Sequence, residues 1–393
     1  MKRKSLFVIL SIVIFGFIIL QRPQANFACA ASNTVNSIKT NAKAAYSMEF
    51  DTETPLLAEN ENERLAIASM CKIMTLSICL DEIENGRISM RDKVVVSENA
   101  AGMGGSQVFL EANASYEVKE LLKSISVCSA NDSCVAMAEY IYGSEEEFTN
   151  KMNEKAKMLG LSNTLFANCT GLPREPQYSC AKDVAIMLKN LLKHNAYYEF
   201  GKIWMDKFNH PEGRYTEISN TNKLIRFYEG CDGGKTGFTN QAGFCLAATA
   251  MRNGMRIISV VIGEKDSKTR FNDIKSTFDY AFANYTMKTV IDANNPLEEK
   301  VAVSGGTIKE ISVKPERSSR IFSKKNDNIS FTSEIIPYKN VKAPIKFGDR
   351  VGELIIYHNG VEKEKLPLLA NETVERATLF DNFKEIAKNW SFK

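Results

Sequence analysis

The sequence predicts an α/β protein: a large domain of helices and antiparallel strands, then a small all-β domain. Three observations carry that expectation. Apolar residues recur at helical spacing through residues 65–80, 120–127, 132–142, 146–159 and 271–285. Two strand-like runs, 243–250 and 255–262, are joined by Asn253-Gly254, a strong hairpin signal. From residue 292 onward the texture changes to short alternating runs. At 393 residues, 44% hydrophobic, 25% charged and 9% aromatic, the chain is long enough for two or three domains, and disorder and fibrous repeats are excluded. No block of like charge suggests a nucleic-acid partner.

The formal charge of +3 is unevenly distributed. Lys2, Arg3, Lys4 and Arg22 lie in the first thirty positions, which hold no Asp or Glu, so the remainder has 46 basic against 47 acidic residues. A charged start, an apolar stretch from Ser5 to Leu20 and small residues in Ala28-Cys29-Ala30 read as a signal peptide over residues 1–30 and imply export. The competing reading is an uncleaved N-terminal anchor, although the stretch is a little short of the roughly 20 residues a spanning helix needs. Lipid attachment at Cys29 is the weaker reading, because Asn26 stands where such sites carry Leu.

Eight cysteines remain after the signal, spread through apolar segments of a large domain. An even count in an exported chain invites a disulfide reading, but this dispersal favours buried thiols. No Cys-x-x-Cys occurs, and His194, His210 and His358 stand in unrelated contexts, so neither a metal nor a cofactor is expected.

Along the chain, residues 45–50 and 56–58 suggest a strand pair around Asp51-Thr-Glu-Thr-Pro55, and residues 65–80 an apolar helix containing Ser69-Met70-Cys71-Lys72. Residues 102–106 form a Gly-rich turn, and Ser115 is placed to cap the next helix. Runs at 308–313, 329–335 and 354–357, the last followed by Asn359-Gly360, make the β domain. Residues 374–393 carry Ala377, Phe380, Phe383, Ile386, Ala387 and Trp390 at helical spacing, which suits a helix lying in a membrane interface; the alternative is a helix packed on the β domain.

Three short motifs carry the chemistry. In Ser69-x-x-Lys72 the i, i+3 spacing places an amine beside a hydroxyl, and a serine is a poor nucleophile until a base takes its proton. Ser129-Ala130-Asn131 lies between two helical runs, where Ser and Asn are also ordinary turn residues. Lys235-Thr236-Gly237 opens the strand-rich region, offering positive charge and a hydroxyl donor for a carboxylate on a backbone a ligand can approach. Each alone is weak. In this order they are the Ser-x-x-Lys, Ser-x-Asn and Lys-Thr-Gly set of penicillin-recognising serine acyltransferases.

The surroundings narrow this. Ala68-Ser69-Met70-Cys71-Lys72-Ile73-Met74-Thr75, Ser129-Ala130-Asn131-Asp132, Thr164-x-Phe166-x-Asn168-x-Thr170-Gly171-Leu172 and Asp232-Gly-Gly-Lys-Thr-Gly237 resemble the D-alanyl-D-alanine carboxypeptidases of the low-molecular-mass penicillin-binding proteins, serine peptidase family S11. The resemblance runs from about residue 45 to 285 and continues more loosely through Phe347-Gly348-x-x-Val351-Gly352 to the terminal helix. It implies a β-lactamase/transpeptidase-like catalytic domain over residues 31–288, a C-terminal β domain over 292–370, and an amphipathic membrane-anchoring helix over 374–393.

It further implies that Ser69, activated by Lys72, attacks the penultimate D-Ala carbonyl of a peptidoglycan stem peptide. Ser129 would relay the proton to the leaving amine, and Asn131 would hold Lys72 and the substrate amide. Lys235 and Thr236 would bind the terminal carboxylate with Arg270 as a second cation and Gly237 in the substrate-binding strand, while the Ser69 and Phe238 N–H groups would form the oxyanion hole. β-Lactams would acylate the same serine, at the extracytoplasmic face of the membrane or in the wall. Cys71, Ile67, Ala130, Cys128 and Gly234 depart from the family pattern and read as packing changes. Proximity of Cys71 and Cys128 would allow oxidative inhibition. A class A β-lactamase is the rival enzyme, but Gly171-Leu-Pro-Arg-Glu-Pro-Gln-Tyr178 lacks its Glu-x-x-x-Asn loop. A silent wall-binding relative is the rival from another class, and the retained Ser69, Lys72, Ser129, Asn131 and Lys235 argue against it.

Overall fold

Five antiparallel strands form the central sheet of this computed structural model, in the order Pro55–Glu59, Ala44–Glu49, Met255–Glu264, Gly243–Arg252, Cys231–Thr239. The structure describes residues 38–328, 330–381 and 383, so the expected signal peptide lies outside the described residues. Side chains of a strand alternate between faces, and here each face is covered. Ile258, Val260 and Ile262 enter a core shared with the helical block, while Ile257 and Val261 enter a second core beneath the Ser267–Asn284 helix. That double burial is why Met255–Glu264 reads as an unbroken apolar run. The hairpin turns at Asn253 and Gly254, with φ of 50° and 75°, as its sequence predicts.

The helical block comprises Lys72–Glu84, Val118–Val127, Asn131–Tyr142 and Glu145–Met158, with Ala181–Leu191 packing against the first of these and the sheet. Three expectations need correction. Leu65 pairs with Ser179 in a β-bridge, and Ala68–Cys71 is a 3-10 turn that precedes the α-helix at Lys72. Ser115 belongs to the Ser115–Glu117 strand, paired with Lys93–Val95, and Glu117 occupies the cap position. The closing helix starts at Ser267, four residues earlier than its apolar period suggests, because the Asp266 carboxylate accepts the Thr269 N–H at 2.7 Å.

A second sheet, in the order Lys300–Ala302, Glu310–Pro315, Val361–Ala370, Arg350–His358, Phe331–Pro337, surrounds its own core, which includes Ile311, Val313, Leu354, Ile356 and Leu368. Tyr285–Ile291 pairs with Ser319–Lys324 at the seam, where the Tyr285 and Phe322 rings stack 5.0 Å apart at 6°. At the C-terminal end Val374 and Arg376 form β-bridges to Ile345 and Gly306. Helical backbone therefore begins only at Leu379, not at 374, and most of the expected helix lies outside the described residues. Among the described residues no helix is long and apolar enough to cross a membrane.

Candidate active site

The three motifs converge. Ser69 sits in the 3-10 turn, whose three residues per turn nearly eclipse positions i and i+3. The Lys72 amine, fully buried at the start of the α-helix, consequently lies 3.0 Å from Ser69 Oγ and donates to the Thr170 carbonyl at 2.5 Å. Thr170 reaches that position through a tight approach at Gly171. With φ of +80°, a Cβ there would lie 2.1 Å from the Ala68 carbonyl oxygen, so only glycine lets this loop lie against the Ser69 turn.

The Lys235-Thr236-Gly237 strand forms the opposite wall and the edge of the sheet. A Cβ at Gly237 would lie 2.6 Å from the Ile67 carbonyl oxygen, which shows how closely this strand lies against the serine-bearing turn. Lys235 is buried, with Nζ 3.2 Å from the Thr236 carbonyl. Burial, and after it the charge of Lys72, pulls its pKa down to about 7. Thr236 donates its hydroxyl to Thr221 Oγ1 at 2.7 Å. Arg270, on the Ser267–Asn284 helix, donates to the carbonyls of Gly237 and Cys245 at 3.1 and 3.2 Å, bracing the strand from behind. Phe238 is half-exposed and its ring lies 4.3 Å from that of Phe244.

Ser129 and Asn131 complete the enclosure. Ser129 holds φ of +68°, and its buried hydroxyl has no hydrogen-bond partner among the described residues. A strained backbone carrying an unpaired buried donor is the kind of outlier that accompanies function. Asn131 departs from the expected contact with Lys72: its Nδ2 donates to the Gly104 carbonyl at 2.7 Å, and its Oδ1 has no partner among the described residues. The Gly-rich turn is thus clamped onto the Ser-x-Asn segment, since Asn131 N–H also donates to Ser106 at 2.7 Å and buried Asp132 accepts the Val108 and Leu110 N–H groups.

Thr170, Thr221 and Asp132 were not anticipated as site residues. Thr170 acts through a backbone carbonyl, which has no sequence signature; Thr221 lies fourteen positions before Lys235 with only its hydroxyl to mark it; Asp132, adjacent to the Ser-x-Asn triplet, had a signal in its acidic character at a buried helix start. The eight cysteines of the described residues are free, seven of them buried. Cys71 donates to the Asn168 carbonyl and Cys128 to that of Ser124, and burial raises both thiols, Cys128 to about 12. Thiols held protonated in this way are poorly reactive, which weakens the case for oxidative inhibition.

A D-alanyl-D-alanine carboxypeptidase family model matches residues 30–266, and a penicillin-binding protein 5 C-terminal domain model matches residues 285–376. The D-alanyl-D-alanine carboxypeptidase DacF of Bacillus subtilis is 40% identical over 98% of both chains, and DacC of Escherichia coli is 32% identical over 90% of this chain and 89% of its own. Among solved structures, penicillin-binding protein 5 of Haemophilus influenzae superposes with a TM-score of 0.68 at 28% identity, covering 86% of this chain and 98% of that one. PBP3 of Streptococcus pneumoniae gives a TM-score of 0.74 at 26% identity over 86% and 100%. Motif order, site geometry and similarity along both domains lead to one conclusion: this chain belongs to the D-alanyl-D-alanine carboxypeptidase family.

Proposed function

We propose that this chain is a serine-type carboxypeptidase that removes the terminal D-Ala from peptidoglycan stem peptides. The observation that carries the assignment of roles is the 3.0 Å approach of Lys72 Nζ to Ser69 Oγ, enclosed by the Lys-Thr-Gly strand. Ser69 Oγ attacks the penultimate carbonyl carbon as its proton passes to Lys72 in the neutral amine form. The scissile C–N bond then breaks, and the departing D-Ala amine takes a proton through Ser129. Water hydrolyses the ester and returns Ser69 to its hydroxyl form.

Lys235 and Thr236 receive the substrate carboxylate, with Arg270 holding their strand. The N–H groups of Ser69 and Phe238 face the developing oxyanion; first-turn N–H groups lack intrahelical acceptors, and an edge strand keeps alternate N–H groups free. An extended peptide is suited to lie along that edge. β-Lactams take the same place, because their amide and carboxylate match the dipeptide. Residues 1–30 serve as the export signal, a reading supported by a family match that begins at residue 30. The catalytic domain spans 31–288, the β domain 292–370 with its bridged extension to Arg376, and the segment from Leu379 onward attaches the protein to the extracytoplasmic face of the cell membrane; exposed Leu379, Phe380 and Phe383 support that last reading.

The test is release of D-Ala from a stem pentapeptide. Ser69→Ala is expected to lower the rate by at least about a thousandfold and to abolish covalent penicillin labelling. Equal activity of the two proteins overturns the assignment, and rapid turnover of penicillin by the parent favours a β-lactamase.

A further inference from the structure

We infer that an exposed stripe of aromatic and cationic side chains beside the site docks the glycan strand from which the stem peptide hangs. The inference rests on the carboxypeptidase reading and extends it to the polymer. The Met205–Asn209 and Tyr215–Ser219 strands form a two-stranded hairpin outside both main sheets. Phe208 and Ile218 anchor its inner face in the core. The register places Met205, Lys207 and Tyr215 on the other face, where Met205 is 60% and Tyr215 50% exposed. Lys207 Nζ lies 4.0 Å from the centroid of the Tyr215 ring.

A second aromatic group stands at the root of the hairpin, one residue before Met205. Trp204 meets Phe227 edge to face at 5.8 Å, and the Arg226 guanidinium lies 5.7 and 5.6 Å from the two ring centroids. Phe227 is 68% exposed. The outward face of a surface hairpin is ordinarily polar, so rings and a methionine gathered there mark an interaction surface.

Its position identifies the occupant. The Trp204 carbonyl accepts the Asn220 N–H at 2.7 Å, and the next residue, Thr221, accepts the Thr236 hydroxyl at 2.7 Å. Asn222 then donates to the Gly233 carbonyl at 3.3 Å. One short segment therefore joins the stripe to the strand assigned to the substrate carboxylate. Pyranose rings present C–H faces that pack on aromatic rings, while their hydroxyl and carboxylate oxygens accept from Arg and Lys. Glu217, opposite Lys207 on the same face, offers sugar hydroxyls an acceptor.

The experiment measures binding of the purified full chain to glycan strands freed of their stem peptides by an amidase and immobilised on beads. Phe227→Ala and Tyr215→Ala, both exposed and expected to fold, should each weaken binding by about tenfold while D-Ala release from the free pentapeptide stays unchanged. No binding of the parent protein to peptide-free glycan, or equal binding by the variants, overturns the inference. So does loss of vesicle binding with glycan binding intact, which assigns the stripe to lipid. Failure of the carboxypeptidase reading appears separately, as absence of D-Ala release by the parent.

Discussion

Lys235 shows how one residue ties the site's electrostatics to its pH response. Alone in its pocket it loses its proton near pH 7, because burial and the Lys72 charge both oppose the ammonium form. A substrate carboxylate bound at Lys235, as proposed above, would restore the proton, so above that value binding would be coupled to proton uptake. kcat/KM for the pentapeptide is therefore expected to fall as pH rises past about 7, and Lys235→Arg, whose guanidinium stays charged, should move that limb upward. A pH profile of both proteins decides it; an unmoved limb assigns the titration to another group. Asp132 acts at one remove from the chemistry. Its buried carboxylate accepts N–H groups of Val108 and Leu110 at 3.0 and 3.2 Å, holding the segment that Asn131 also grips. Asp132→Asn preserves shape but removes the charge, and it should lower kcat/KM by about tenfold to a hundredfold through misplacement of Asn131. Faster amide exchange at Val108 and Leu110 would mark positioning; unchanged exchange with lost activity would contradict it.

At the level of elements, the end of the Met255–Glu264 strand meets the Ser267–Asn284 helix through two carboxyls. Neither Glu264 oxygen receives a hydrogen bond from an N–H or hydroxyl group among the described residues, and Asp273, which accepts from Asn41, faces it. Burial first, and then Asp273, raise the Glu264 pKa to about 8, so the folded protein holds a proton that the unfolded chain releases near its ordinary 4.5. Stability should accordingly decline as pH rises from about 4.5 through 8, by at most about 1.4 kcal/mol per pH unit. Denaturant melts of Glu264→Gln across that range should show a flatter dependence, and an unaltered slope removes Glu264 from the account.

The same elements show what the sequence makes legible. Continuous apolar runs and Asn-Gly pairs locate Gly243–Arg252, Met255–Glu264 and the Arg350–His358/Val361–Ala370 hairpin because period and turn chemistry are local. The Ser69 and Lys72 pairing is legible for the same reason. The Met205–Asn209/Tyr215–Ser219 hairpin is not: each strand buries one large apolar side chain, too few to set a period. Nor is the grip of Asn131 on Gly104, which depends on a tertiary contact between segments 27 positions apart.

Across the whole molecule, the two cores of the catalytic domain and the separately packed core of the β domain are joined by a narrow seam. The catalytic domain's second core ends at Phe322, contributed by the Ser319–Lys324 strand on the far side of the junction, where it stacks on Tyr285 and packs with Met287. The β domain's own core is formed by other residues, among them Val313, Leu354 and Leu368. A seam of one strand pair, the Tyr285 and Phe322 stack, and Lys325, which donates to the Asn284 and Phe282 carbonyls at 2.8 Å, couples the domains at the margin of their cores. Phe322→Ala removes the stack while leaving the strand hydrogen bonds, so heat should unfold the variant in two resolved calorimetric transitions where the parent protein shows closer coupling. The site lies on the edge strand Cys231–Thr239, whereas the seam strands form a separate two-stranded sheet, and hydrolysis of a free pentapeptide should be unchanged. With the membrane attachment proposed above, wall-bound substrate is where the loosened junction should register as lost activity. A single sharp transition in the variant would show instead that the domains remain coupled without the Tyr285 and Phe322 stack.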